Sequence, residues 1–222
     1  PTLELRDGLL PEYSDVLTPA VRDALAKLAP FDDDRRALMA ARLARRAARA
    51  AAHEPIGFHE PESLIGRTSI LVRDAREGRF SGSEIPHDLQ WKWIQGTGPG
   101  AKPHTSIKRS IRNVAYALLS GADGWMFDGE DALGQLSTMS LDNQRNLKLA
   151  MARDPLFLEA AESVAGEMNL WSSSFLGRRI IDDWRAQLDF TTVIFRARGL
   201  HLDDRHIRRT DGGGFSASIV DA

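Results

Sequence analysis

Three short apolar runs, separated by stretches whose apolar residues recur at helical spacing, restrict what this chain can fold into more than any other feature. The first, Trp91-Lys92-Trp93-Ile94-Gln95, alternates and then meets a glycine-rich break, Gly96-Thr97-Gly98-Pro99-Gly100, which reads as a tight strand-to-helix turn and lacks the Lys-Ser/Thr ending of a phosphate loop. Ile107, Ile111, Val114, Ala115, Leu118 and Leu119 follow at the intervals of one helix face, and Gly121 closes that helix. Gly124-Trp125-Met126-Phe127 does not alternate, as expected of a buried strand, and runs straight into Asp128-Gly129-Glu130-Asp131. A helix from about Leu141 to Ala152 stops near Asp154-Pro155, and Leu156 to Leu188 reads as mostly helical, with turns at Asn169, Ser172-Ser173-Ser174 and Gly177. Thr191-Thr192-Val193-Ile194-Phe195-Arg196 is the last strong strand, and the Asp/Arg/Gly stretch after it reads as polar connection. Strand and helix in alternation, with buried strands, predict an α/β fold on a parallel sheet, whose functional side chains gather at the carboxyl ends of the strands. The acidic turn and Arg196-Ala197-Arg198-Gly199 both stand at such ends, so opposite charges are expected to face one mouth.

The amino-terminal third carries less chemistry. Leu17 to about Ala52 reads as helical, with Asp32-Asp33-Asp34 favouring the start of a helix that runs on from Arg35. Arg42, Arg45, Arg46 and Arg49 suit either a surface helix with cations at its negative end or an RNA-binding arm. The balance of 29 Lys plus Arg against 31 Asp plus Glu, and the lack of aromatics among those arginines, oppose a nucleic-acid partner. Glu54 to Pro86 is a connector rich in Gly, Pro and charge, with one short strand at Ser69-Ile70-Leu71-Val72. With no cysteine there is neither disulfide nor thiolate chemistry, and the cytoplasm is the natural setting. No apolar run is long enough to span a bilayer, so no membrane association is expected, and the first residues lack the pattern of a signal peptide.

Three carboxylates within four residues repel one another at a strand end unless a cation or bound protons lie nearby. Magnesium suits such hard oxygen donors, since it keeps several waters and uses few carboxylates. The alternative is an Asx turn in which Asp128 and Asp131 bond backbone amides and Glu130 faces solvent. Arg196 ends a run of apolar and β-branched residues, and if that strand is central its guanidinium is removed from water and needs an anion. That anion is either a structural partner, Asp128 or Glu130, or a substrate oxygen that gains charge in reaction. His201 and His206 match no metal spacing and read as surface or loop hydrogen-bonders. No serine sits in a nucleophile-elbow sequence.

Several stretches, in this order along the chain, resemble the opening part of malate synthase: Leu17-Thr18-Pro19, Arg35-Arg36, Ile85-Pro86-His87-Asp88-Leu89-Gln90, Ala117-Leu118-Leu119-Ser120-Gly121-Ala122, Met126-Phe127-Asp128-Gly129-Glu130-Asp131-Ala132, Gln144-Arg145-Asn146-Leu147, and Val193-Ile194-Phe195-Arg196-Ala197-Arg198-Gly199-Leu200-His201-Leu202. The resemblance covers nearly the whole chain and extends to the aldolase/citrate-lyase superfamily built on the same barrel. It implies a (β/α)8 TIM-barrel fold, of which this chain would supply an N-terminal helical clasp and connector (1–85) and the first barrel units (86–222), with a mostly helical insert at about 155–190. It implies Mg2+-dependent condensation of acetyl-CoA with glyoxylate to malate, in which Arg196 stabilises the enolate and Asp128 and Glu130 are outer-shell partners of the metal through water. Direct metal ligands and the catalytic aspartate would lie beyond Ala222, so a carboxyl-terminal portion or a partner chain is expected to complete the barrel. Gly129 stands where the family commonly has an aromatic, which leaves a Mg2+-dependent carbon–carbon lyase of the same superfamily as one alternative. A non-catalytic module of a split barrel is the other.

Overall fold

The computed structural model of the chain describes residues 2–96, 106–128 and 139–222. It is a mixed α/β structure with two small sheets. Strands β2 (Trp93–Gly96), β3 (Gly124–Asp128) and β4 (Thr192–Arg196) form a parallel sheet in the order β2-β3-β4. Helix α5 (Ile107–Leu118) lies between β2 and β3, and α6 (Met139–Met151), α7 (Pro155–Leu176) and α8 (Trp184–Phe190) lie between β3 and β4.

Side chains alternate across a strand, and the burial of β3 fixes which face is which. Trp125 and Phe127 are buried against Ile111, Val114 and Leu118 of α5 and Phe157 and Val164 of α7. Phe127 stacks on Phe195 with ring centroids 5.2 Å apart, adding an aromatic contact to the area it buries. Gly124, Met126 and Asp128 therefore share the opposite face, with Gln95 and Ile194 flanking Met126 in register. This second face is open, with Ile194 38% exposed. At its amino end the Trp93 ring lies so close to Gly124 that a Cβ there would come within 2.6 Å of it, so only glycine fits.

Helix α7 is one unbroken rod where turns were expected. Asp154 caps it by accepting from the Leu156 amide, Pro155 occupies its first turn, and Gly177 ends it at φ 68°. Asn169 does not break the rod because its side chain bonds outward, accepting from the Ile180 and Ile181 amides and donating to the Ile181 carbonyl. Those bonds fold the returning chain back along the helix.

A second, antiparallel sheet joins the two ends of the chain in the order β1-β5-β6: β1 (Leu3–Leu5), β5 (Asp203–Arg209) and β6 (Gly214–Ser216). Its core gathers Leu9 of α1 (Leu9–Glu12), Leu25 of α2 (Pro19–Leu28), Tyr13, Leu17, Ile207 and Phe215, and Leu141 of α6. The helical stretch from Leu17 is thus two helices, α2 and α3 (Phe31–Ala51). Asp32 is not the cap of α3 but a fully buried anchor inside it. Its Oδ1 accepts from the Ser216 amide at 3.0 Å and pairs with Arg35 at 2.9 Å, while Oδ2 pairs with Arg209 at 3.2 Å. Farther along, Arg42, Arg45 and Arg46 are exposed. In the connector, Leu71 makes only an isolated bridge to Leu64, because the chain turns at Val72 into α4 (Val72–Arg76) instead of extending. Among the described residues, no helix is long and apolar enough to cross a membrane.

Candidate active site

The carboxyl ends of the three parallel strands lie side by side. Register pairs Gly96 with Phe127 and Asp128 with Arg196, so residues 128 and 196, sixty-eight apart in sequence, occupy adjacent positions on the open face. Neighbouring strands run about 4.8 Å apart, which puts both positions at one small site. Arg196 is exposed rather than withdrawn from water: β4 is an edge of the described sheet, not its centre. Glu130 and Asp131, and the glycine-rich break from Thr97 to Gly100, lie outside the described residues, and of Asp128 the backbone position alone is described.

Arg198, two residues on, does not join Arg196 at the mouth. The strand ends at Arg196, and Arg198 is 6% exposed, with its guanidinium bound to both oxygens of Asp221 at 2.7 and 2.9 Å and to Asp204 at 2.8 Å. Its own amide donates to Asp221 at 2.8 Å. Burial disfavours the Arg198 charge, but the bonds and charges of Asp221 and Asp204 outweigh it and raise its pKa. Asp204 in turn accepts from the His206 and Ile207 amides, so the exit of β4, the start of β5 and α9 (Ala217–Asp221) are pinned at one point. His206 is a buried β5 residue, not a loop side chain, whereas His201 is exposed.

Gln144-Arg145-Asn146-Leu147 on α6 holds the two sheets' cores together. Arg145 forms a two-pronged pair with Asp15, both contacts 2.6 Å, donates to the Glu12 carbonyl and lies 4.5 Å over the Tyr13 ring. The hydrogen bond from Arg145 is the largest influence on Asp15 and holds its carboxyl below the ordinary value. Asn146 is buried and donates to Ser110 of α5 at 2.9 Å, and Leu147 packs on the parallel-sheet core. An apolar cleft of about 450 Å3 lies beside Leu25, Leu147, Phe195 and Ile219. Phe195 belongs to the helix-covered face, so this cleft does not serve the Asp128 and Arg196 face.

Among the described residues, no group of three or more His, Cys, Asp or Glu side chains is placed to hold a metal ion. Of the acidic turn, Asp128 is the one carboxylate position among the described residues. No protein-family model matches the chain. Malate synthase of Myxococcus xanthus is 30% identical over 213 residues, which cover 95% of this chain and 32% of that protein. Malate synthase of Streptomyces clavuligerus is 27% identical over 212 residues, 96% of this chain and 33% of that protein. The chain is a relative of the malate synthases. It spans about a third of the length of the relatives it matches.

Sequence reasoning found the strand ends of this malate synthase relative but missed the buried carboxylates Asp32, Asp204 and Asp221. Asp204 lies in the stretch that reads as polar connection and Asp221 beyond it near the end of the chain, and nothing local distinguishes either from a solvated acid.

Proposed function

We propose that the chain is part of a malate synthase-like acyltransferase that condenses acetyl-CoA with glyoxylate to malate on a (β/α)8 barrel, with β2, β3 and β4 as its first strands. The observation that carries this is the parallel register setting Asp128 beside Arg196 at the carboxyl ends of adjacent strands, where such folds do their chemistry. The open face bearing Met126, Ile194 and Arg196 supports the barrel: further strands, from a carboxyl-terminal portion or a partner chain, would close over it. Residues 1–85 would act as a clasp, with β1 gripping β5, and 86–222 would carry the barrel units and the helical insert at about 155–190.

In this reading the Arg196 guanidinium faces the enolate oxygen that forms when acetyl-CoA loses a methyl proton, and it stabilises charge that is greatest in the transition state. Exposure of Arg196 now and its enclosure on barrel closure are both required: closure would strengthen its field by excluding water. Mg2+ would draw its inner oxygens from elsewhere, with Asp128 and Glu130 addressing its water shell. A cytoplasmic setting suits a chain without cysteine.

The test is CoA release from acetyl-CoA on addition of glyoxylate, measured in the protein that carries this chain. Arg196→Ala should lower kcat by about 100- to 1000-fold, the usual cost of one donor to a developing oxyanion. Arg196→Lys should recover part of that loss. A variant with alanine at 196 that turns over at the parental rate would remove Arg196 from the chemistry.

A further inference from the structure

At the amino end of the parallel sheet, the end away from Asp128 and Arg196, five residues enclose a small cavity of about 140 Å3: His87, Trp91, Asp123, Phe190 and Thr192. Three of its walls are aromatic. The His87 and Trp91 rings meet edge to face at 5.0 Å, and Trp91 and Phe190 are tilted toward each other at 6.4 Å. Trp91 is 48% and Phe190 56% exposed, so both ring faces can be reached from solution. Among the described residues of the lining, Asp123 supplies the only charge of fixed sign. One of its oxygens accepts the Lys92 amide at 2.9 Å, and no cationic side chain pairs with it among the described residues.

Aromatic faces beside an uncompensated carboxylate attract one class of ligand. A cation within about 6 Å of a tryptophan face is drawn to the negative side of its quadrupole, and a soft, weakly hydrated cation loses little water on arrival. The volume is well below the roughly 300 Å3 at which pockets for drug-sized molecules begin, so only a head group fits. We infer that this cavity binds an organic cation of the alkylammonium class, seated against the Trp91 and Phe190 rings with Asp123 as its counter-charge. Trp91 sits between the other two rings and is the main anchor. Asp123 sets the charge preference, and its bond to the Lys92 amide holds it in place before the ligand arrives. The head group belongs either to a free small ammonium ion or to a methylated lysine on another protein.

Tetramethylammonium chloride titrated into the 15N-labelled chain at constant ionic strength tests this, read at the Trp91 indole N–H cross-peak, which Trp91→Ala identifies by its loss. A saturable shift is expected. Calorimetry should show binding abolished in Trp91→Ala and weakened about tenfold in Asp123→Asn, where the side-chain carbonyl can still accept from Lys92 and the fold is kept. A trimethyllysine peptide that binds at least tenfold tighter than the free ion assigns the ligand to a protein, and equal affinity assigns it to a small molecule. Neopentyl alcohol, an uncharged analogue with a similar branched head, should fail to compete. The inference is overturned by a shift no larger than that from sodium chloride, by neopentyl alcohol binding as well as the cation, or by undiminished binding in Trp91→Ala.

Discussion

The parallel sheet buries Trp125 and Phe127 under helices, whereas the antiparallel sheet is tied to α3 through buried charge, Asp32 with Arg35 and Arg209. The first has little need of specific partners, because apolar contact is non-directional and tolerates small shifts. The second depends on each group finding its counter-charge, since a buried ion left alone costs more than the pair gains. One region should therefore fail by cavity and the other by orphaned charge.

The largest expected effect is in the apolar region. Phe127→Ala removes a ring that stacks on Phe195 and meets Trp125, and it should cost about 3–5 kcal/mol in urea unfolding. A loss under about 1 kcal/mol would mean that the helix-covered face is loosely packed. Next comes Asp32→Asn, which keeps shape and the bond from the Ser216 amide but leaves Arg35 and Arg209 a charge short. Both arginines retain other partners, Asp203 for the first and Asp33 and Asp211 for the second, so the loss should be about 2–3 kcal/mol, short of a full orphaning. Replacing Asp32, Arg35 and Arg209 together by apolar residues of similar volume sharpens the contrast: it should recover most of that loss, whereas no second substitution should rescue Phe127→Ala so simply.

The smallest effect is a pH dependence at the joint between the two regions. Arg145 lowers the Asp15 pKa, so the ionised pair stabilises the fold fully above the unfolded aspartate value of about 3.9, and that contribution fades as pH falls through the lower folded value. Arg145→Met should cost less than about 1 kcal/mol at neutral pH, because the Asp15 side chain is 46% exposed. Its stability should also fall less steeply below pH 4 than that of the parent. Parallel acid titration curves for the two proteins would show that the pair carries no pH-linked stability.

The same contrast explains what was legible in the sequence. Trp125-Met126-Phe127 and Val193-Ile194-Phe195 announce buried strands because their signal is carried by the residues themselves, and the helix of Ile111, Val114 and Leu118 has the right period. Strand β5, Asp-Asp-Arg-His-Ile-Arg-Arg, reads as connection because five of its seven residues are formally charged. Asp204 and Arg209 are nonetheless buried: Arg209 pairs with Asp32, which lies 177 residues away in sequence, and Asp204 pairs with an Arg198 that Asp221 holds from near the end of the chain. Strand β1 was missed for a related reason: three residues form a strand only because β5 is there to receive them. At the candidate site the two strand ends were readable from charge following an apolar run. Their adjacency, and the diversion of Arg198 into Asp221, depend on register and on a helix near the far end of the chain.

Pairing Leu3 with Arg209 makes the antiparallel sheet a late event in the life of the polypeptide. On the ribosome, at about 5–20 residues per second, roughly 10–40 s separate synthesis of the two strands. During that interval β1 has no partner, while the Trp125 and Phe127 core can already be assembling with α5 and α7. A nascent chain halted before β5 should thus carry an unpaired amino-terminal strand and an Asp32 that lacks Arg209 and the Ser216 amide, a form that quality-control proteases could tell from the finished product.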